Sequence, residues 1–352
     1  MISLSISISS IWNTVYPILI AILFFELIII VHEGGHFVAA KLNKIQVNEF
    51  SIGMGPKIFS KTFRGTKYSL RWILVGGYCA MEGEDEESDS KRSFSSKKVW
   101  QRIVVVVAGA LMNLLLGFII MVIIVSTSNL VGTCTVARFE DNAVSEAYGL
   151  QVGDTIKSID GMRIFTTSDL STAFSRSSDG IVDMTVDRDG KTVALDGVQF
   201  ATEEQYGHNY ISMDFWLLGE EKNVGNVLKA SCLEFLSYGR MVFLSVYDLL
   251  TGKYGLSDLS GPVGSVSIIS DAVKTSVPTM LRIMALLTIN VGLFNLFPIP
   301  ALDGWRIFVL LFEGVTRKKP PAKFEWLVNT IGLVLLLGLM CVVTFSDITK
   351  LF

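Results

Sequence analysis

From Trp326 to Phe345 the chain carries no charged residue, from Val99 to Thr127 only Arg102, and from Val277 to Ala301 only Arg282. A helix needs about 20 apolar residues to cross a hydrocarbon core of about 30 Å. Backbone in lipid must satisfy its own hydrogen bonds, so each run is predicted to be a transmembrane helix. A fourth run, Ile11 to about Phe37, is equally apolar but holds Glu26, His32, Glu33 and His36 in its C-terminal half. No basic segment precedes it and no small-residue cleavage site follows, so it reads as a permanent first span and not a signal peptide. Only 18% of residues are charged, against about 25% in soluble domains, which places the chain among membrane proteins. The net charge of −3 gives no reason to expect nucleic acid, and four scattered cysteines exclude a disulfide-stapled scaffold. Cys134 and Cys232 are expected to be free thiols.

Basic residues orient the spans. Lys41, Lys44, Lys57, Lys61, Arg64, Lys67, Arg71, Lys91, Arg92, Lys97 and Lys98 follow the first run, and Arg306, Arg317, Lys318, Lys319 and Lys323 follow the third. Both loops belong in the cytoplasm, which leaves the two termini and the long segment between the second and third spans outside. Val224 to Leu250 is apolar enough to be weighed as a further span, but Lys229, Glu234, Arg240 and Asp248 recur along it. At about 2.5–3.5 kcal/mol for each mid-membrane charge, residues 222–276 are better read as helices on the outer membrane surface. In the cytoplasmic loop, alternating runs separated by Gly65 and by Gly76-Gly77 predict β-hairpins over about 48–81. The acidic run Glu82 to Asp89 that follows reads as a solvated connector.

The chemistry lies in the first span. In His32-Glu33-Gly34-Gly35-His36 the i, i+4 spacing puts both imidazoles on one helix face, where one metal ion can be held, with Glu33 beside it to take a proton from water. Ionisable groups inside a span are costly and functional by default. A tetrahedral zinc site needs a third protein ligand. His208 lies in the polar outer segment, so Asp303 is the better candidate: it follows Asn295-Leu296-Phe297-Pro298-Ile299-Pro300-Ala301-Leu302, where prolines break the helix at the cytoplasmic end of the third span. The first and third spans must run the same way to bring Asp303 to the depth of His32 and His36, which requires that Val224 to Leu250 not cross.

Between the second and third spans, β-branched runs alternate with the turn pairs Asp160-Gly161 and Asp189-Gly190, and a helix is predicted over Ser168 to Phe174, capped by Ser168 or Asp169. The string Tyr148-Gly149-Leu150-Gln151-Val152-Gly153-Asp154 through Gly161 resembles bacterial PDZ domains, which take an extended peptide by strand addition. Taken together, His32-Glu33-Gly34-Gly35-His36 and Asn295-x-x-Pro298-x-Pro300-x-Leu302-Asp303-Gly304 resemble the site-2 protease family of intramembrane zinc metalloproteases. Phe50 to Pro56, Gly76-Gly77-Tyr78, Ala108-Gly109 with Asn113, and Ser260 to Gly264 point to its RseP-type bacterial branch with a single PDZ domain.

The resemblance implies regulated intramembrane proteolysis in a bacterial inner membrane, with the active site near the cytoplasmic side. The substrate would be a single-span membrane protein, an anti-sigma factor or a signal-peptide remnant, with a peptide or substrate tail at the PDZ domain. It implies Zn2+ on His32, His36 and Asp303, Glu33 as general base, and Asn295, Pro298 and Pro300 at the substrate. Gly76 and Gly77 would lie on a strand edge that holds the substrate extended. Trp305 after Gly304 and Ala110 after Gly109 depart from the usual motifs without altering a ligand. Glu26 lies two turns before Glu33 on nearly the same face, either lining a water path or packed between helices.

The expected architecture is therefore a polytopic α-helical membrane protein with four transmembrane helices (about 11–37, 99–127, 277–301 and 326–345), a membrane-associated β-hairpin region and an inserted α+β PDZ domain. Residues 1–127 form the N-terminal membrane part, 131–200 the PDZ domain and 277–352 the C-terminal membrane part. The rival readings are a non-proteolytic PDZ-containing membrane receptor and a transporter with broken helices, the latter disfavoured by the absence of an internal repeat.

Overall fold

The computed structural model describes residues 8–84, 88–205, 208–253, 255 and 259–350. The chain divides into two compact units, one built from its two ends up to Ile120 and from Tyr247, the other from Met121–Val246. Among the described residues four helical segments are long and apolar enough to cross a membrane: Val15–Leu42, Val99–Thr127, Val277–Phe294 and Lys323–Thr349.

In the first unit, helix α1 (Ile8–Leu42) is followed by strands β1 (Val47–Phe63) and β2 (Thr66–Met81), then α2 (Val99–Thr127). The separate hairpins expected over 48–81 are one hairpin doubled back on itself. Phe50 pairs with both Cys79 and Tyr68, Ser51 with both Tyr78 and Ser69, and Ile52 with both Gly77 and Leu70, while Ser60 pairs with Ser69 and Phe63 with Thr66. The result is four short rungs in the order 77–81, 47–52, 67–71, 57–63. Left-handed backbone at Gly53 (φ 80°), Gly55 (φ 81°) and Gly76 (φ 112°) makes the two folds, which side chains would resist. At the tip, Lys41 Nζ donates to Thr66 Oγ1 (2.6 Å) and Thr66 Oγ1 to the Val47 carbonyl (2.8 Å), tying the sheet to the end of α1. The acidic run is anchored at its start, where the Glu82 carboxylate accepts from Asn48 and Ser88 (2.6 Å each). Residues 85–87 of that run lie outside the described residues.

The second unit contains β3 (Val131–Phe139), a 3-10 turn (Ser145–Tyr148), β4 (Thr155–Ile159), β5 (Met162–Arg163), α3 (Thr167–Arg176), β6 (Ile181–Arg188), β7 (Lys191–Gln199), β8 (Thr202–Gln205), β9 (His208–Ile211), β10 (Phe215–Glu220) and α4 (Val224–Leu250). The sheet order is β10-β3-β4-β6-β7, with β5 on β4 and β8-β9 apart, so this β-rich body reaches Glu220, beyond the residue 200 expected. Asp160-Gly161 and Asp189-Gly190 have positive φ at both residues, as a tight hairpin turn needs. Helix α3 begins at Thr167, not Ser168, because Thr166 is its cap. The Thr166 hydroxyl accepts from Asp169 N (3.2 Å), and the Asp169 carboxylate accepts from Thr166 N (3.2 Å). Val136, Leu150, Ile156, Ile159, Leu170 and Val186 fill the core, beside which the buried Asp154 forms a two-pronged ion pair with Arg188 (2.7 Å each).

Three polar residues of α4 are committed to this body: Thr166 donates to Ser237 (3.1 Å), Thr167 to Glu234 (3.3 Å), and Arg240 pairs with Asp169. The four cysteines are free, and burial pushes the Cys134 thiol up to about 12.

The first unit resumes with α5 (Pro262–Thr275), α6 (Val277–Phe294), α7 (Asp303–Thr316) and α8 (Ala322–Thr349). The Asp347 carboxylate, late in α8, accepts the Gly261 and Gly264 N–H groups at the start of α5 (2.9 and 2.8 Å). The third span, expected to reach residue 301, stops at Phe294, because Pro298 and Pro300 cannot continue a helix. The chain turns through Ala301 (φ 73°) and restarts at once as α7, where a loop is expected from sequence. Gly332 of α8 lies so close to this turn that a Cβ would stand 2.3 Å from Pro300 Cβ. Arg102 of α2 donates to Glu313 of α7 (2.6 Å), and Arg306 pairs with Glu84. The outer side chains of α8 are apolar and exposed, among them Leu335 at 68% and Phe345 at 71%, a surface suited to lipid and not to water.

Candidate metal centre

His32 and His36 project from α1, and Asp303 is the first residue of α7, where the helix N-terminus favours a carboxylate. Asp303 Oδ2 lies 3.0 Å from His32 Nε2 and 3.2 Å from His36 Nε2, and the two Nε2 atoms are 3.2 Å apart. Zinc bonds of about 2.0–2.1 Å in a tetrahedron put neighbouring ligand atoms about 3.3 Å apart. The triangle found here therefore has the size of one face of such a tetrahedron. Among the described residues, these three form the cluster able to hold a metal ion.

The proton positions agree. His36 Nδ1 is 2.9 Å from the Val105 carbonyl and can only donate to it, which leaves the Nε2 lone pair facing the centre. Among the described residues Asp303 Oδ2 is buried and meets no polar group other than the two Nε2 atoms. Lone pairs of a neutral imidazole and a carboxylate held this close in a low-dielectric interior repel unless a cation lies among them.

The approach of α2 depends on glycine. A Cβ on Gly35 would stand 2.3 Å from the Ala108 carbonyl oxygen, and one on Gly109 would stand 2.5 Å from His36 Nε2 and 2.9 Å from His32 Cε1. Gly34 faces open space, so only one of the two central glycines of the motif serves packing. Sequence reading places Gly109 and Asn113 within a motif but gives them no task; their contacts run between helices far apart in sequence, and local pattern carries no trace of them.

Gly76 and Gly77 of β2 run beside α1. The Gly76 N–H donates to Glu26 Oε2 (3.2 Å), and a Cβ on Gly77 would stand 3.9 Å from Glu33 Cγ. Glu26 is thus bound to the doubled hairpin, a third alternative to the two roles expected of it. The Cys79 N–H faces the Glu33 carboxylate, and burial, with Glu33 and Glu84 nearby, raises the Cys79 thiol so that it stays neutral. On the hairpin, Glu49 is held down to about 2: burial opposes its charge, but Ser69, Arg71, Tyr78 and Lys67 outweigh it. Asn295 caps the C-terminus of α6, and Pro298 and Pro300 shape the turn into α7, so these three stand on the segment that delivers Asp303. Gly304 lets that segment close: a Cβ there would stand 2.0 Å from the Phe297 carbonyl oxygen. His208 belongs to β9 in the second unit.

The sequence profile of Peptidase family M50 matches residues 20–339. A Clostridium perfringens protein that bears zinc metalloprotease as a provisional name is 38% identical, over 94% of this chain and 98% of its own. The zinc metalloprotease RasP of Shouchella clausii is 28% identical over 93% of this chain and 97% of its own. The regulator of sigma-W protease RasP of Bacillus subtilis is 28% identical over 94% and 98%.

Proposed function

Because the chain belongs to peptidase family M50, we propose that it is an intramembrane zinc metalloprotease, hydrolysing a peptide bond within or near the membrane segment of an anchored substrate. The observation that carries this reading is the meeting of His32 Nε2, His36 Nε2 and Asp303 Oδ2 within 3.2 Å of one another, on helices α1 and α7. A non-catalytic receptor is not favoured, since the ligand set and Glu33 stand together.

His32, His36 and Asp303 would hold the zinc ion, which when bound would polarise the scissile carbonyl and acidify water. Glu33 takes the proton as water oxygen adds to the carbonyl carbon, and gives it to the nitrogen as the C–N bond breaks. The β2 edge at Gly76 and Gly77 lies beside Glu33 and holds the substrate extended by strand pairing, since amides inside a helix are closed to attack. Asn295, Pro298 and Pro300 line the turn facing the substrate.

Basic loops favour a cytoplasmic position for the hairpin and the active site, with both termini and residues 131–200 outside. The outer β-rich body is read as a PDZ domain, on the strength of its Gly-Leu-x-x-Gly-Asp string and a capped helix α3, and receives a peptide or the cut tail of a substrate. The Bacillus subtilis relative is named a regulator of sigma-W protease, and the substrate of this chain is read as one of the anti-sigma class.

The test is cleavage of a single-span substrate by purified protein, wild type beside Glu33→Gln, with zinc measured in both. The expected outcome is equal zinc and a loss of cleavage of about 100-fold or more in the variant. Equal cleavage by both would remove Glu33 from the chemistry, and zinc uptake with no cleavage by either would restore the receptor reading.

A further inference from the structure

Of the two metal-side histidines only His36 has its remote ring nitrogen held by a backbone carbonyl. His32 Nδ1 instead meets the side-chain amide of Asn113, at 3.5 Å from its Nδ2. Asn113 lies in α2, is fully buried, and its Oδ1 has no hydrogen-bond partner among the described residues. The stretch of α2 that carries it is pressed onto the histidines: Val105, whose carbonyl serves His36, and Gly109, whose Cβ would strike both rings, precede Asn113 at successive turns of the same helix face.

The two ends of the amide present opposite demands. With the NH2 end toward His32, Nδ1 must be the acceptor, so the proton moves to Nε2, the atom that faces His36 and Asp303. With the carbonyl end toward His32, Nδ1 keeps its proton and donates it, and Nε2 presents a lone pair to the centre. The two ends have nearly the same shape, so a half-turn of the amide exchanges them without disturbing the helix. That half-turn also gives the buried Oδ1 the donor it lacks.

We propose that Asn113 is the positioning residue for His32: its carbonyl oxygen accepts the His32 Nδ1–H and fixes the tautomer whose Nε2 binds zinc, as the Val105 carbonyl does for His36. The inference rests on the zinc reading above. Loss of such an outer partner typically weakens metal binding about 10–100-fold.

The experiment is chelator-competition titration of zinc into the purified full chain, comparing wild type, Asn113→Leu and Asn113→Asp, with the thermal midpoint of each metal-free protein recorded alongside. Leucine keeps the bulk and removes the acceptor, and about 10–100-fold weaker zinc binding is expected. Aspartate can only accept, so binding at least as tight as wild type is expected. If leucine prevents folding, Asn113→Ala takes its place in the comparison with aspartate. A leucine or alanine variant that binds zinc like wild type overturns the proposal, as does an aspartate variant that is folded yet binds as weakly as leucine; the latter result would mean that the NH2 end does the work. Wild-type protein that takes up no zinc would overturn the zinc reading and this inference with it, whereas tight wild-type binding with an indifferent leucine variant would overturn this inference alone.

Discussion

Replacing Gly109 by alanine should damage the metal centre through a single methyl group. The new carbon would stand 2.5 Å from His36 Nε2, 2.6 Å from its Cε1 and 2.9 Å from His32 Cε1. An ordinary contact lies near 3.5 Å, so about 1 Å must be found by turning the rings or by moving α2 away. Neither is harmless. The ring of His36 is held by the Val105 carbonyl on the same helix as Gly109, at 2.9 Å, and a retreat of about 1 Å would break that bond. Metal–ligand distances tolerate only about 0.2 Å. We therefore expect overpacking to cost about 1–3 kcal/mol of stability and zinc affinity to fall about 10–100-fold. Chelator competition reads the affinity and thermal unfolding of the metal-free protein reads the stability. Gly34→Ala is the internal control, since a Cβ there meets nothing within 4 Å and alanine should favour the helix by up to about 1 kcal/mol. If Gly109→Ala binds zinc within twofold of wild type, the close approach of α2 is irrelevant to the centre and the reasoning fails.

Glu26→Leu removes the acceptor of the Gly76 N–H (3.2 Å); KM for a membrane substrate should rise about 2–10-fold, the worth of one hydrogen bond, with zinc affinity unchanged, and a parallel loss of zinc would show that Glu26 acts on the metal instead. Gly77→Val puts a Cβ 2.8 Å from the Ser51 carbonyl oxygen, in the rung beside Glu33, and should impair cleavage while zinc stays bound; unimpaired cleavage would sink the strand-edge role. The Glu49 carboxyl is depressed from 4.5 to about 2, so its contribution is complete above pH 4.5 and disappears as pH falls through about 2. The hydrogen-exchange protection of the hairpin amides, corrected for the intrinsic pH dependence of exchange, should follow that acid limb in wild type. In Glu49→Gln the protection of these amides, after the same correction, should be lower at neutral pH and flat across the same range.

The parts of the fold visible in the sequence are those set by short-range pattern. Charge-free runs mark the spans because lipid penalises each charge singly, and His32 with His36 share a helix face by spacing alone. Asp303 could be nominated, but α7 could not: two prolines and an Arg306 suggest a loop, while the restart depends on Gly304 fitting against the Phe297 carbonyl and on Gly332 fitting against Pro300. The doubled hairpin was equally hidden, since Phe50, Ser51 and Ile52 each pair on both sides, and alternation along one strand does not say how many neighbours it has. For α4, two of the four charges that argue against a span, Glu234 and Arg240, are partners of Thr167 and Asp169. The strand β10, which extends the β-rich body to Glu220, has no local sign that it returns to β3.

The three residues proposed as metal ligands come from distant parts of the chain, His32 and His36 on α1 and Asp303 on α7, with the whole second unit encoded between them. During synthesis the first two ligands and Glu33 enter the membrane early, and most of the polypeptide must follow before the third exists. A ribosome-bound chain thus carries the histidine pair without its carboxylate, and ring closure over so long a separation is among the later events of folding. If these three residues are the ligands, the order of translation withholds the one that completes the site until most of the chain has been made.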